Sequence, residues 1–346
     1  MESSHDTLIV GGGAIGLTAA LVLADRGHTV CILEKNEVGQ ESSWAGAGLL
    51  MFTSQVNEAV LPLLKRSLEL YPDLSARLKS ETGIDPECYT SGALVFGQPN
   101  EAAVTLNWRH DILSAKDVEA KFPALHACQE KAFYYPDAGQ IRNPRFVQAL
   151  KAVLLKHKNV TVCEHESVQS FQADNGRITS VQTDKTKYHA KHVLVTAGAW
   201  SSQLLKTMGF QFEIFPVRGQ ILAFDCGHAM PVPVVMNGSR YLVPRKDGVI
   251  LAGSTMEYVG YDRLPTHEAF DMLKAAAIEM MPELKSAPII AQWAGLRPGT
   301  ESPAPIIGPV TGYENLWVST GHFRNGLVLS PASAELIADL MEQKGV

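Results

Sequence analysis

The chain predicts a mixed α/β and α+β fold: a dinucleotide-binding lobe joined to a second lobe built on an antiparallel sheet. Three observations carry that expectation. Residues 7–34, "TLIVGGGAIGLTAALVLADRGHTVCILE", read as strand, glycine turn, helix, strand. "KHVLVTAGAWSSQLL" places a second strand-to-helix step near Thr196. "ALVFG" near Leu94, "GQILAFD" from Gly219, "RYLVPR" from Arg240 and "VILAGST" from Val249 have strand character.

Composition sets the bounds. At 346 residues the chain is too long for one ordinary core, so two lobes are expected. Apolar residues make up 46% and charged residues 19%, enough to bury a large core and too apolar for disorder. A net charge of −6 advertises neither nucleic acid nor an anionic membrane as a partner. Cys31, Cys88, Cys128, Cys163 and Cys226 are scattered and odd in number, with no metal-ligand spacing, which argues against zinc and a disulfide framework and fits a reducing cytoplasm. The uncharged run Leu8 to Ala24 approaches the length of a signal or membrane segment. Four glycines interrupt it and "MESSHD" before it has no basic residue, so no integral membrane segment is expected.

The first strand is expected at Thr7 to Val10. Gly11, Gly13 and Gly16 give the G-x-G-x-x-G spacing: Gly11 for the tight turn, Gly13 for approach to a pyrophosphate, Gly16 for close helix packing. The helix, opening at Ala14 and Ile15, offers free N–H groups and a positive dipole end to phosphates. It stops near Gly27, and a strand from Thr29 to Leu33 ends on Glu34, eighteen positions after Gly16, where a carboxylate can accept ribose hydroxyls. This unit does not separate NAD from FAD. After Lys35 come the hydroxyls of Ser42 and Ser43 and a run of small residues, Ala45 to Gly48, against which a flat ring or phosphate can lie. A loop capping the next helix is the bland alternative. The strand Val193 to Thr196, followed by Ala197-Gly198-Ala199, resembles the strand that returns to the cofactor in two-dinucleotide flavoproteins. No second glycine fingerprint exists, so no separate NADPH domain is expected and electrons must pass to oxygen or an external carrier.

The dinucleotide fold is expected to be discontinuous, from 1–85, 140–212 and 292–346, with 86–139 and 213–291 forming the second lobe. "KDG" reads as a hairpin turn between two of its strands, and Glu268 to Met281 as a flanking helix. The sheet would roof the cofactor, with the ligand pocket between lobes.

The stretches "IVGGGAIGL", "ESSWAGAGLL", "RYLVPRKDGVILAGSTME", "WAGLRPGT", "PIIG" and "GHFRNGLVLSPASAELIADL" span nearly the whole chain. In that order they resemble the D-amino-acid oxidase family of FAD proteins, and within it the glycine-oxidase branch linked to thiamine synthesis. The resemblance implies that Glu34 holds the adenosine ribose, with Ile15 and Lys35 nearby. It implies that Ser42, Ser43, Ala47, Gly48 and Leu49 line the pyrophosphate and flavin, and that Val168 meets the adenine through its backbone. Tyr241 and Arg297 would grip a substrate carboxylate, Met256 would pack over the substrate side of the flavin, and His322, Phe323, Arg324, Asn325, Gly326, Leu327 and Val328 would edge it. Related sarcosine oxidases attach flavin through a cysteine just after the "RP" segment. "LRPGTESPAPIIG" has none, so non-covalent FAD is implied. Trp44, bulky among small residues, is left open between shielding the flavin, shaping the pocket and packing.

Independently of the resemblance, Arg297 follows a strand, "PIIAQWAG", and precedes a rigid turn, and its planar fork suits a carboxylate. The alternative is an arginine that binds backbone carbonyls. Strand alternation puts Tyr241 and Val243 on one face. Arg245 competes as an anion clamp, but "PRKDG" reads as an exposed hairpin end. N–H groups near Asn325 to Leu327 would point at the flavin edge that becomes negative on reduction, with Arg324 adding charge there or facing the substrate. His165 reads as surface and His322 as a loop residue beside the cofactor.

The activity implied is oxidative deamination of glycine or another small amino acid. Hydride would pass from Cα to flavin N5, giving the keto acid, ammonia or an amine, and hydrogen peroxide, with oxygen as acceptor. The alternatives are a D-amino-acid or cyclic imino-acid dehydrogenase passing electrons to a quinone or carrier, and a non-catalytic flavin-binding scaffold. Oligomeric state is not fixed by the pattern; a homo-oligomer is compatible with it.

Overall fold

The computed structural model describes residues 4–51, 58–210, 213–302 and 304–343. The strand Ser4–Val10 lies at the centre of a sheet, parallel to Val30–Leu33 on one side and Lys187–Val195 on the other. Val160–Cys163 continues the parallel array beyond Val30–Leu33, and Leu316–Thr320 beyond Lys187–Val195. Ile306–Pro309 adds an antiparallel strand, and Val168–Asp174 and Arg177–Thr183 form a hairpin against the start of Lys187–Val195. Thr7 to Val10 are all buried because both faces are covered, the reason the strand reads as a continuous apolar run. Ile9 packs with Leu17, Leu64, Phe146 and Ile337 from the helices Ala14–Asp25, Leu61–Thr82, Asn143–Lys156 and Gly326–Met341. Leu8 and Val10 face the other way, toward Cys31, Phe171, Val193 and Leu205. A Cβ on Gly16 would stand 2.1 Å from the Gly11 carbonyl oxygen, so the first helix can lie this close to the turn only with glycine there.

The second sheet runs, edge to edge, Ile289–Thr300, Ile214–Asp225, Val249–Gly253, Arg240–Pro244, Val234–Asn237, Ala93–Phe96, Lys131–Tyr135, Asp111–Ser114. All pairs are antiparallel except Val234–Asn237 with Ala93–Phe96, which is parallel. That exception to the antiparallel expectation is the seam where the two inserted stretches of chain meet. "KDG" does turn Arg240–Pro244 back onto Val249–Gly253. One face packs Leu222, Phe224, Leu242 and Ala252 on the helix His267–Met280. The other, with Ile221, Tyr241, Val243 and Leu251, turns toward the first lobe, as alternation requires.

The strand Ile289–Thr300 departs from expectation in two ways. It hydrogen-bonds to Ile214–Asp225 along nearly its whole length, so residues 292–300 lie in the second sheet. It also continues through Arg297, Pro298 and Gly299 where a turn is expected. Pro298 is tolerated because this is an edge strand, and it faces Pro216 at a point where neither needs an N–H donor. Among the described residues no helix is long and apolar enough to cross a membrane; the Leu8–Ala24 run is split between a strand and a helix.

Candidate cofactor and substrate site

A cavity of about 500 Å³ opens between the two lobes. Its floor is the C-terminal edge of the parallel sheet, and its roof is the inner face of the second sheet.

At one end stands the glycine turn. The first helix begins after Gly13 with no side-chain cap, which leaves N–H donors at its positive end facing the cavity. Ser43 Oγ accepts from the Ala14 N–H at 2.8 Å, tying the turn to the short helix Glu41–Ala45. Glu34 is buried at the end of Val30–Leu33, where its carboxylate accepts from the N–H groups of Gly12 (2.8 Å) and Asn36 (2.9 Å). Lys35 lies over the Trp200 ring, its Nζ 3.3 Å from the centroid, and burial lowers its pKa.

Most of the residues expected at a cofactor come together on this cavity: Gly11, Gly13, Ala14, Ile15, Glu34, Lys35, Ser42, Ser43, Ala47, Gly48, Leu49, Val168, Gly198, His322, Phe323, Arg324, Gly326, Leu327 and Val328. Gly16 and Asn325 sit just behind the lining. Met256 is not brought in: it is 54% exposed and lies beyond the end of the strand Val249–Gly253. Trp44 stays outside the lining and packs edge-to-face on Trp293, centroids 5.6 Å apart. Trp293 Nε1 also donates to the Ala45 carbonyl at 3.0 Å, so the tryptophan pair fastens the small-residue loop to the roof.

The roof and the adjoining wall carry the cationic part of the site. Tyr241 and Arg297 both line the cavity. Arg297 donates to the Thr255 carbonyl at 3.1 Å and to Ser254 Oγ at 2.9 Å, both neutral partners. Burial lowers its pKa, the neighbouring Tyr241 phenol opposes that shift, and Arg324 adds to it. Arg324 is itself lowered by burial, and among the described residues it has no hydrogen-bond or ion-pair partner. Among the described residues, two guanidiniums and a phenol thus meet with no carboxylate hydrogen-bonded to either cation. Glu257, the acid that acts on Arg297 through charge, is held by Arg218 (Nε to Oε2, 2.9 Å) and Gln220 (Nε2 to Oε1, 2.9 Å).

Two glycines make this arrangement fit. A Cβ on Gly219 would fall 2.1 Å from Arg297 Nη2, and one on Gly253 would fall 2.4 Å from the Tyr241 hydroxyl oxygen. Sequence reasoning missed both, along with Ser254 and Thr255: the glycines act by clearance, Thr255 by its carbonyl and Ser254 by one hydroxyl, and none of these carries a sequence signature of its own. It also missed the 166–169 stretch around Val168 and the wall formed by Trp200, Gln203, Leu204 and Thr207. Those last positions recur at helical spacing after Gly198, which is the signal that could have found them.

Arg245 corrects the sequence reading. It is 4% exposed, not at a free hairpin end, and donates to Gln140 Oε1 (2.8 Å), the Ile141 carbonyl (3.1 Å) and the Ala47 carbonyl (2.7 Å). Burial brings its pKa down to about 10. It braces the loop under the cavity and does not reach it. His165 is exposed, as expected. His322 is buried, with Nε2 3.1 Å from Ser333 Oγ, and burial pushes its pKa down to about 3, so it stays neutral. The helix Gly326–Met341 starts at the cavity wall after the single turn Phe323–Asn325.

Comparison with known proteins fits this geometry. The family described as FAD-dependent oxidoreductase (DAO) matches residues 6–340. The glycine oxidase of Pseudomonas putida is 43% identical, covering 98% of this chain and 94% of its own. The crystal structure of glycine oxidase from Geobacillus kaustophilus superposes with a TM-score of 0.92 at 28% identity, over 100% of this chain and 96% of that one. L-proline dehydrogenase from P. horikoshii, with a TM-score of 0.87 at 23% identity over 100% of this chain and 95% of that one, shares the fold. Matched by one family from near its first residue to near its last, the chain belongs to the DAO family of FAD-dependent oxidoreductases.

Proposed function

We propose that this FAD-dependent amino-acid oxidase acts on glycine or a comparably small amino acid, yielding the keto acid, ammonia and hydrogen peroxide with oxygen as acceptor. The observation that carries the reading is the pair of guanidiniums beside Tyr241, Arg297 on the roof and Arg324 on the adjoining wall, both lining the cavity. An amino acid supplies the missing carboxylate.

The donor set fits FAD. The uncapped first helix offers N–H groups for the pyrophosphate, Glu34 offers a carboxylate for the ribose, and the Ala47–Gly48–Leu49 run and the start of Gly326–Met341 offer backbone for the ring. Residues of the parallel-sheet lobe would hold the cofactor and the second lobe would hold the substrate. When bound, FAD supplies the two-electron acceptor for the Cα–H bond.

Arg297 presents its planar fork to the carboxylate, with Tyr241 donating to the same group and Arg324 adding positive charge. Fixing that end aims Cα at the floor of the cavity and lowers the entropic part of the barrier. Among the described residues, neither Glu257 nor His322 is free to abstract the Cα proton: Glu257 is engaged by Arg218, and His322 is bonded to Ser333. The chain's own contribution is position and electrostatics. The names of the glycine oxidase relatives favour the oxidase over the carrier-linked dehydrogenase.

Anaerobic mixing with glycine, sarcosine, D-alanine and D-proline tests the reading. Small amino acids should bleach the flavin absorbance, and air should restore it with release of peroxide. Bleaching that needs an artificial dye for reversal would overturn oxygen as acceptor. Acid precipitation should free the yellow colour, since no cysteine lines the cavity.

Glu34→Arg should weaken FAD binding more than it harms turnover by surviving holoenzyme. A hydrogen bond to a charged group contributes about 1.5–3 kcal/mol, and arginine reverses the charge as well. FAD titration of the apoprotein checks this; unchanged affinity would remove Glu34 from the ribose site.

A further inference from the structure

Cys31 and Cys163 lie on adjacent parallel strands, Val30–Leu33 and Val160–Cys163. Their sulfurs are 4.0 Å apart on the face that also carries Leu33 and Tyr188. Cys31 is fully buried, while Cys163 is half-buried on the outermost strand of the parallel array. The Tyr188 hydroxyl donates to Cys163 Sγ at 3.6 Å. One sulfur is therefore reachable from solvent and polarised by a donor, and the second stands behind it.

The pair adjoins the adenosine end of the cavity. The Glu34 N–H donates to the Cys163 carbonyl at 2.9 Å, and the Glu166 N–H donates to the Glu34 carbonyl at 2.9 Å. Glu34 and Glu166 both line the cavity.

We propose that Cys163 and Cys31 form a peroxide-responsive thiol pair whose closure to a disulfide loosens the adenosine end of the FAD site. The Cys163 thiolate attacks one oxygen of hydrogen peroxide. The O–O bond breaks, giving Cys163 sulfenic acid and hydroxide, which takes up a proton to become water. The Cys31 thiol then attacks the sulfenic sulfur, the S–O bond breaks, and a second water leaves with the Cys31 proton. Two thiols and one peroxide become one disulfide and two waters, with sulfur oxidised and oxygen reduced. The hydrogen bond from Cys31 lowers the Cys163 pKa, burial opposes it and Tyr188 assists, whereas Cys31 is raised by that same bond and by burial. This division suits Cys163 as the attacking group and Cys31 as the resolving one.

A disulfide is about 2 Å long, so the sulfurs must close by half of their present separation. The two strands carry that movement to Leu33–Glu34 and Cys163–Glu166, which hold each other through the backbone bonds just described.

The test exposes holoenzyme to added peroxide, so it does not depend on which amino acid is oxidised. Free thiols are then blocked with iodoacetamide, and the peptides are mapped by mass spectrometry. The expected result is a linked Cys31–Cys163 peptide, reversed by dithiothreitol, while Cys88, Cys128 and Cys226 are alkylated. Cys31→Ser should instead carry Cys163 on to sulfinic acid, and Cys163→Ser should leave Cys31 as a thiol. The oxidised wild type should bind FAD severalfold more weakly than the same sample after dithiothreitol, and both variants should show no such reversible change. Alkylated Cys31 and Cys163 after peroxide, or a linked peptide with unchanged FAD affinity, would overturn the proposal.

Discussion

Arg297→Lys should lower kcat/KM for the amino-acid substrate by about ten- to a hundred-fold, and Arg297→Ala by more. Lysine keeps the charge but loses the planar fork, so one charge-assisted hydrogen bond goes, at roughly 1.5–3 kcal/mol. On the transition-state scale that is about one to two powers of ten. Alanine removes the charge as well and leaves Arg324 as the one guanidinium lining the cavity among the described residues. FAD content should stay near normal in both variants, because the residues that hold Arg297 in place are Thr255 and Ser254 of the second lobe. An amine without a carboxylate supplies the control: its weak turnover should hardly respond. Equal losses on both substrates, or loss of FAD with activity, would show that Arg297 supports the fold or cofactor.

Gly219→Ala should reproduce much of the Arg297→Lys defect without touching the arginine. The new Cβ would lie 2.1–2.3 Å from the Nη and Cζ atoms of Arg297, so the guanidinium must swing away. Because the obstructed group is the end of a flexible side chain, the fold should absorb the change. Alanine in a strand interior is also less costly than glycine, by about 0.5–1 kcal/mol. The expected signature is unchanged Tm and FAD content with kcat/KM reduced about tenfold or more, following from loss of the fork geometry. Full activity would mean that the guanidinium is not seated on Gly219 in the working enzyme. Loss of FAD would assign Gly219 to the cofactor.

The cofactor half of the site was legible in the sequence because its chemistry is written in runs. Gly11, Gly13 and Gly16 sit beside one another in the chain, the helix follows at once, and Glu34 ends the next strand. Each would meet the cofactor through the backbone or a short reach, so sequence order and spatial order coincide. The substrate half was legible only in part. Arg297 stood out as a cation among glycines and prolines, and Tyr241 by alternation, but Gly219 and Gly253 act by the space they leave across a strand pair. That pairing is set by sheet register, which no local pattern specifies. Arg245 was misread for a related reason. "PRKDG" has the composition of an exposed turn, and only the approach of Ala47, Gln140 and Ile141 from other parts of the chain buries the guanidinium. Met256 shows the converse, since a large apolar residue beside the site stands exposed three positions beyond the end of Val249–Gly253.

The parallel seam between Ala93–Phe96 and Val234–Asn237 sets the order in which the molecule can assemble on the ribosome. When Ala93–Phe96 emerges, its partner Lys131–Tyr135 follows soon, but its parallel partner Val234–Asn237 is still more than a hundred residues away, and the whole of Lys187–Val195 must be made in between. The central strand Ser4–Val10 gains its neighbour Lys187–Val195 late, and that neighbour gains Leu316–Thr320 later still. Neither lobe therefore closes before synthesis nears its end. Pairings of such long sequence separation make folding slow and leave strand edges open for its duration. A nascent chain stopped near residue 210 would hold a parallel sheet without Leu316–Thr320 and a roof strand, Ala93–Phe96, without Val234–Asn237, and so would engage chaperones as one unfinished body.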